Sequence, residues 1–158
     1  MKKKTGVLLI NLGTPNSSQT GDVRQYLRQF LMDRRVIDIP FWKRFLLINL
    51  IIAPFRSPKS AKEYQRLWTK EGSPLLTNSQ NAAKALQKEL GDDYYVVLGM
   101  RYQNPSIELA LKQIKAQDVE RIIVVPLFPQ YASSSTGSAI EETMQIAKKD
   151  LLLPSMHF

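Results

Sequence analysis

Residues 121–138, RIIVVPLFPQYASSSTGS, limit the choice of fold more than any other stretch. The stretch opens with a continuous apolar run, Ile122–Phe128, rich in β-branched residues. A run without polar alternation suits a strand covered on both faces, as in a parallel sheet. At Pro129 the chain turns to small hydroxylated residues, Ser133, Ser134, Ser135, Thr136, Gly137 and Ser138. A helical pattern follows, with Ile140, Met144, Ala147 and Leu151 expected on its inward face. The order is therefore strand, polar loop, helix start. In open α/β sheets ligands bind at the carboxyl ends of the strands, and free N–H groups at a helix start favour an anionic group. The Ser133–Ser138 loop is thus either a ligand-binding loop or a solvated turn that caps the helix.

The same grammar recurs along the chain. Gly6–Leu12 predicts a first strand, closed by the turn Gly13-Thr14-Pro15-Asn16, which lacks the glycine pattern of a nucleotide phosphate loop. Val23, Leu27, Phe30 and Leu31 mark a helix, with Asp22 as its expected N-cap. A helix is predicted over Ser57–Trp68 with Pro58 near N1, and another over Asn81–Leu90, stopped by Gly91-Asp92-Asp93. Tyr94–Met100 predicts a second strand. Asn104-Pro105 is read as cap and N1 proline of a helix carrying Ile107, Ala110, Leu111 and Ile114. Glu141 and Glu142 in the first turn after Gly137 complement the helix dipole and read as structural. Leu151–Phe158 opens a further strand. This β–α alternation predicts an α/β fold with a doubly wound parallel sheet, all within one domain, 1–158. Right-handed crossovers bring Gly13-Thr14-Pro15, Arg101-Tyr102 and Gln130–Ser138 to one edge of the sheet.

Phe41–Phe55, FWKRFLLINLIIAPF, fits least well as an ordinary helix. Its apolar core is too short for a bilayer span of about 20 residues. It is apolar nearly all round, with Lys43 and Arg44 before that core and Arg56 and Lys59 after it. It is either a deeply buried helix or one that faces something apolar, a ligand or a membrane. The chain of 158 residues carries 22 Lys and Arg against 14 Asp and Glu, a formal charge of +8. That charge admits an anionic membrane face, nucleic acid or an acidic small molecule. The basic residues are scattered and no RNA-binding aromatic motif appears, so nucleic acid is not expected. Without cysteine, disulfides and thiolate metal sites are excluded. The only histidine is His157, so neither a His-rich metal motif nor a Ser-His-Asp triad can be assembled. Lys2–Lys4 precede no cleavable secretory pattern, and a cytoplasmic location with a membrane-touching surface is the expectation.

Six segments, in order, resemble the ferrochelatase family, which inserts iron into a porphyrin. They are LLINLGTP (8–15), FLMDRRVID (30–38), PFRSPKSAKEYQRLW (54–68), GSPLL (72–76), GMRYQNPSI (99–107) and LFPQYASSSTGS (127–138). The resemblance is to the first half of the family's chains and implies a Rossmann-like chelatase half-domain. It implies a second α/β domain, absent from this chain, which carries the family's metallation histidine and acid. His157 lies outside that motif, so no catalytic or metal-ligating residue is assigned here. By motif, porphyrin-binding roles fall on Arg56, Tyr64 and Ser73, with Arg101 and Tyr131 lining the cavity and Leu12 packing on the macrocycle. The implied partners are the substrates, a porphyrin and ferrous iron, with no resident cofactor. Physical chemistry agrees: a macrocycle needs an apolar wall, which Leu12, Phe41, Trp42 and Phe45 supply, and propionates need arginine forks and hydroxyls. The alternative is a non-catalytic module of the same fold that holds an acidic apolar ligand or an anionic membrane surface.

Overall fold

A computed structural model describes residues 4–151 and 153–158. Four parallel strands, β1 (Thr5–Gly13), β2 (Tyr94–Tyr102), β3 (Arg121–Pro126) and β4 (Ser155–His157), lie in the order β2-β1-β3-β4. In β1, Val7 registers with Val96 of β2 and Ile123 of β3. The helices are α1 (Thr20–Leu31), α2 (Phe41–Leu46), α3 (Ala53–Leu67), α4 (Pro74–Leu90), α5 (Ile107–Lys115) and α6 (Ser138–Ala147). Lys2 and Lys3, and Leu152 within Leu151–Phe158, lie outside the described residues.

Both faces of the sheet are covered, which is why the strand sequences do not alternate. Leu8 and Ile10 pack with Ile107, Ala110, Leu111 and Ile114 of α5 and Ala139 of α6. Val7 and Leu9 point the other way, onto Leu76, Ala83, Leu86 and Leu90 of α4. A third cluster joins α1 to α3 beyond the carboxyl end of β2, through Val23, Tyr26, Leu27, Leu31, Ile48, Ala61 and Tyr102. The doubly wound parallel sheet predicted from the sequence is the architecture observed.

Several element boundaries differ from expectation. Asp22 is not the N-cap of α1; Gln19 is, and Asp22 sits in the first turn, where its carboxylate accepts the Ser17 hydroxyl. Pro58 lies inside α3, because the chain is already helical from Phe41 onward. The Ser57 hydroxyl donates back to the Ala53 carbonyl one turn before it. Helix α4 starts at Pro74 rather than Asn81, the extended Ser73 being its N-cap. Asn104-Pro105 does not cap α5; that peptide is cis, and Ser106 caps by accepting the Leu109 N–H at 3.2 Å. The buried side of α6 is Ser138, Ala139, Thr143 and Ala147, whereas Met144 and Leu151 are exposed. Small side chains let that helix lie close on the sheet, an arrangement a hydrophobicity count does not register.

The Phe41–Phe55 run is not a core helix. Arg44, Ile48, Ala53, Ser57 and Ala61 form the buried stripe, and Phe41, Trp42, Phe45, Leu46, Leu50, Ile51 and Phe55 face outward. The step from Ile48 to Ala53 is one residue longer than its neighbours. A π-helical segment, Leu47–Ile52, absorbs that extra residue and keeps the stripe facing the body.

Candidate functional site

The carboxyl edge of the sheet carries two adjoining features, an apolar pocket and a buried charge network. Leu12, Gly13 and Thr14 at the end of β1 form the pocket floor. Tyr26 of α1, Tyr64, Leu67 and Trp68 at the end of α3, and Ser73, Pro74 and Leu75 at the start of α4 form its walls, enclosing about 290 Å³. Gly13 is required where it stands: its φ is +106°, and a Cβ would lie 2.0 Å from the Tyr102 carbonyl oxygen. The aromatic wall is continuous, with Tyr26 edge-on to Tyr64 at 6.1 Å and Tyr64 edge-on to Trp68 at 6.3 Å. Burial pushes the Tyr64 phenol up, and the Tyr26 hydroxyl offsets part of that rise. Tyr26 is also raised, first by burial and then by Tyr64, so both phenols stay protonated at neutral pH.

Two hydroxyl side chains, Thr14 and Ser73, line this apolar pocket. Thr14 Oγ1 is buried without a hydrogen bond. Ser73 is buried at an N-cap, yet its side chain makes no capping bond and only its carbonyl is used, by Thr77. Buried polar atoms are normally paired, so the unpaired Thr14 hydroxyl beside Ser73 marks a place for a ligand oxygen or water.

Beside the pocket, Asp33 gathers four donors. Its carboxylate accepts the Ser138 hydroxyl, the Tyr102 hydroxyl at 2.8 Å, Arg101 Nη2 at 2.9 Å and the Arg35 backbone N–H at 2.8 Å. Burial by itself would raise the Asp33 carboxyl. The Ser138 hydroxyl, the Arg35 N–H, the Tyr102 hydroxyl and the Arg101 charge outweigh it and hold the carboxyl below the usual range. Arg101 also donates from Nε to Ser138 Oγ at 2.7 Å and pairs with Glu142 at 3.4 Å. Its guanidinium lies 4.6 Å from the Tyr102 ring centroid. Further out, Arg35 pairs with Glu141 and donates to Ser133 Oγ at 3.2 Å. The two acids of α6, read from the sequence as complementing the helix dipole, each pair with an arginine from elsewhere in the chain.

The structure brings Leu12, Tyr64 and Ser73 together in one pocket. Arg101 lies in the neighbouring network, mostly buried and engaged. Tyr131 is 71% exposed at the rim, its hydroxyl beside Gly137 and the Arg35 guanidinium's surroundings. Arg56 is exposed on α3 about 12 Å along the helix axis from Tyr64, by the rise per residue. It forms no ion pair among the described residues. The sequence left the Ser133–Ser138 loop as either a ligand-binding loop or a solvated turn that caps the helix. It coils as a π turn in which the Ser135 and Gly137 N–H groups donate to the Ala132 carbonyl, and Ser138 is consumed by Asp33 and Arg101. His157 sits on the edge strand opposite Ile123, in neither the pocket nor the network. Sequence reasoning assigned no role to Asp33, Tyr26 or Trp68, and took Thr14 and Tyr102 only as part of the loops at the sheet edge. Asp33 left one signal, an acid directly before two arginines at a helix end.

An α/β half-domain that presents an aromatic pocket and a buried arginine at its strand carboxyl edge is the form this chain takes. The ferrochelatase family model matches residues 4–158. The ferrochelatase of Legionella pneumophila (strain Philadelphia 1) is 50% identical over 153 residues, 97% of this chain and 46% of that protein. That of Coxiella burnetii (strain Dugway 5J108-111) is 53% identical over 139 residues, 88% of this chain and 39% of that protein. The chain belongs to the ferrochelatase family, and it spans less than half the length of these curated relatives.

Proposed function

We propose that this chain is the N-terminal, porphyrin-holding portion of an enzyme that inserts ferrous iron into a porphyrin, protoporphyrin IX or coproporphyrin III, in haem synthesis. The observation that carries this reading is the pocket of Leu12, Tyr26, Tyr64 and Trp68, into which the buried, unpaired Thr14 hydroxyl and the Ser73 side chain are set. Its volume is at the low end of the roughly 300–1,000 Å³ of small-molecule sites, so it takes one edge of a macrocycle rather than the whole. The apolar wall packs on pyrrole carbons, the hydroxyls meet carboxylate oxygens, and Arg56 meets a propionate where the wall reaches water. Arg101 and Tyr131 line the side toward the sheet edge. Metallation releases two pyrrole protons as the iron enters. The base that takes them belongs to the family's second domain, since the only histidine here stands on the edge strand.

The exposed apolar side of α2, the π segment and α3 supports a second contact, with a membrane surface. Phe41 is 65% exposed and Phe55 80%, and Lys43, Arg56 and Lys59 flank them. No helix among the described residues is long and apolar enough to cross a membrane. The contact proposed is peripheral, through the exposed aromatic face.

Fluorescence-quenching titration with a dicarboxylic porphyrin tests the propionate assignment. Arg56→Ala should weaken binding about fivefold to a hundredfold, as for a hydrogen bond to a charged group. Arg56→Lys should recover only part of the loss, because it keeps the charge and not the fork. Ser73→Ala should cost less than Arg56→Ala. The methyl ester should bind Arg56→Ala as well as wild type; equal binding of free acid by both proteins would refute the assignment.

A further inference from the structure

A second pocket, of about 420 Å³, opens beside the apolar helix face and is lined by Arg34, Asp38, Ile39, Pro40, Phe41 and Arg44. Arg44 is 7% exposed. Its Nη1 donates to the Ile37 carbonyl at 2.9 Å and the Ile39 carbonyl at 3.1 Å, which fixes the guanidinium plane. Its Nε is buried with no hydrogen-bond partner. Nη2 has none either, and no carboxylate pairs with Arg44 among the described residues. A buried guanidinium ordinarily brings an acid with it, because the desolvated charge is costly alone. Nη2 is the guanidinium nitrogen left to donate to an oxyanion in the pocket, while Nε stays occluded. Arg34, exposed on the same pocket, also forms no ion pair among the described residues. Asp38 is the one carboxylate on the wall and pairs with neither arginine, so two guanidiniums face one acid and the pocket is net positive.

Phe41 belongs both to this pocket and to the outward apolar face that continues through Trp42 and Phe45. Lys43 holds its ammonium 5.3 Å from the Trp42 ring centroid. An amphiphile with an oxyanion head complements this juxtaposition, whereas a free phosphate would leave the aromatic rim unused. We propose that the Arg34–Arg44 pocket binds the phosphodiester of an anionic phospholipid, with the Arg34 guanidinium and Arg44 Nη2 donating to phosphate oxygens. Phe41, Trp42 and Phe45 then lie in the lipid interface. The proposal rests on the peripheral membrane contact above and adds to it a discrete headgroup site.

The test uses the 158-residue chain with vesicles of phosphatidylcholine, alone or mixed with phosphatidylglycerol, in a co-sedimentation assay. Wild type should prefer the mixed vesicles. Arg34→Ala and Arg44→Lys should each lose roughly fivefold or more of that binding, the scale of one charge-assisted hydrogen bond. Lys88→Ala, which removes an equal charge from an exposed position on α4, should lose far less. Thermal melts, expected to match wild type, check that Arg34→Ala and Arg44→Lys fold. In parallel, the Arg44 Nε–H NMR signal should shift on titration with dihexanoyl-phosphatidylglycerol below its micelle concentration and much less with inorganic phosphate. An equal response to inorganic phosphate overturns the lipid assignment. If vesicle binding is intact but indifferent to both arginine changes and the Nε–H signal is still, the headgroup site fails while the membrane contact stands. If wild type binds neither vesicle, the membrane contact fails and takes the proposal with it.

Discussion

Replacing Asp33 with Asn or Ala should destabilise the chain more than any comparable change on the surface. Asp33 is nearly buried and is the only carboxylate shared by Arg101, Tyr102, Ser138 and the Arg35 N–H. Removing one partner of a buried ion pair costs about 3–5 kcal/mol. Arg101 keeps Ser138 and the more distant Glu142, which places the expected loss at the lower end, about 3 kcal/mol. For a domain of this size that is a fall in melting temperature of about 6–12 °C. The Asn variant should fall nearly as far as Ala, since it keeps the shape and loses the charge. The pH dependence has a definite sign. The folded carboxyl is depressed below its unfolded value, so its contribution is fully present above the unfolded pKa, about 3.9, and is lost as pH falls through the folded value. Melting curves of wild type and Asp33→Asn should therefore differ at neutral pH and converge in strong acid. A difference under about 2 °C at neutral pH, or one that is unchanged in strong acid, would refute the network's role.

Two further outcomes are expected. Phe45→Ser with Leu46→Ser should cut vesicle binding sharply while leaving the melting temperature nearly unchanged, because both side chains are half exposed; a large loss of stability with intact vesicle binding would show them to be core residues. The isolated chain, mixed with porphyrin and Fe2+ or Zn2+ without oxygen, should metallate no faster than the protein-free control by visible absorbance; rapid conversion that survives His157→Ala would place the proton-accepting base within these residues.

The strands, the parallel sheet and the edge on which the site forms were legible in the sequence because burial on both faces leaves continuous apolar runs such as Val7–Ile10 and Ile122–Val125. The family motifs likewise carried Leu12, Tyr64 and Ser73, which share one pocket. Other features depended on partners distant in the chain. Asp33 and Ser138 stand 105 residues apart, and no local spacing announces that one will consume the hydroxyl of the other. Arg101, assigned by motif to the cavity lining, is mostly buried and paired with Asp33, 68 residues away. The Phe41–Phe55 run was ambiguous by composition, since an all-round apolar helix satisfies either a core or an interface. Only the packed structure, in which a π turn keeps Arg44, Ile48 and Ala53 inward, decided that its aromatics face out. Local sequence determines which residues are apolar and where the chain turns; which polar groups must share one buried volume is decided when distant elements close over it and exclude water.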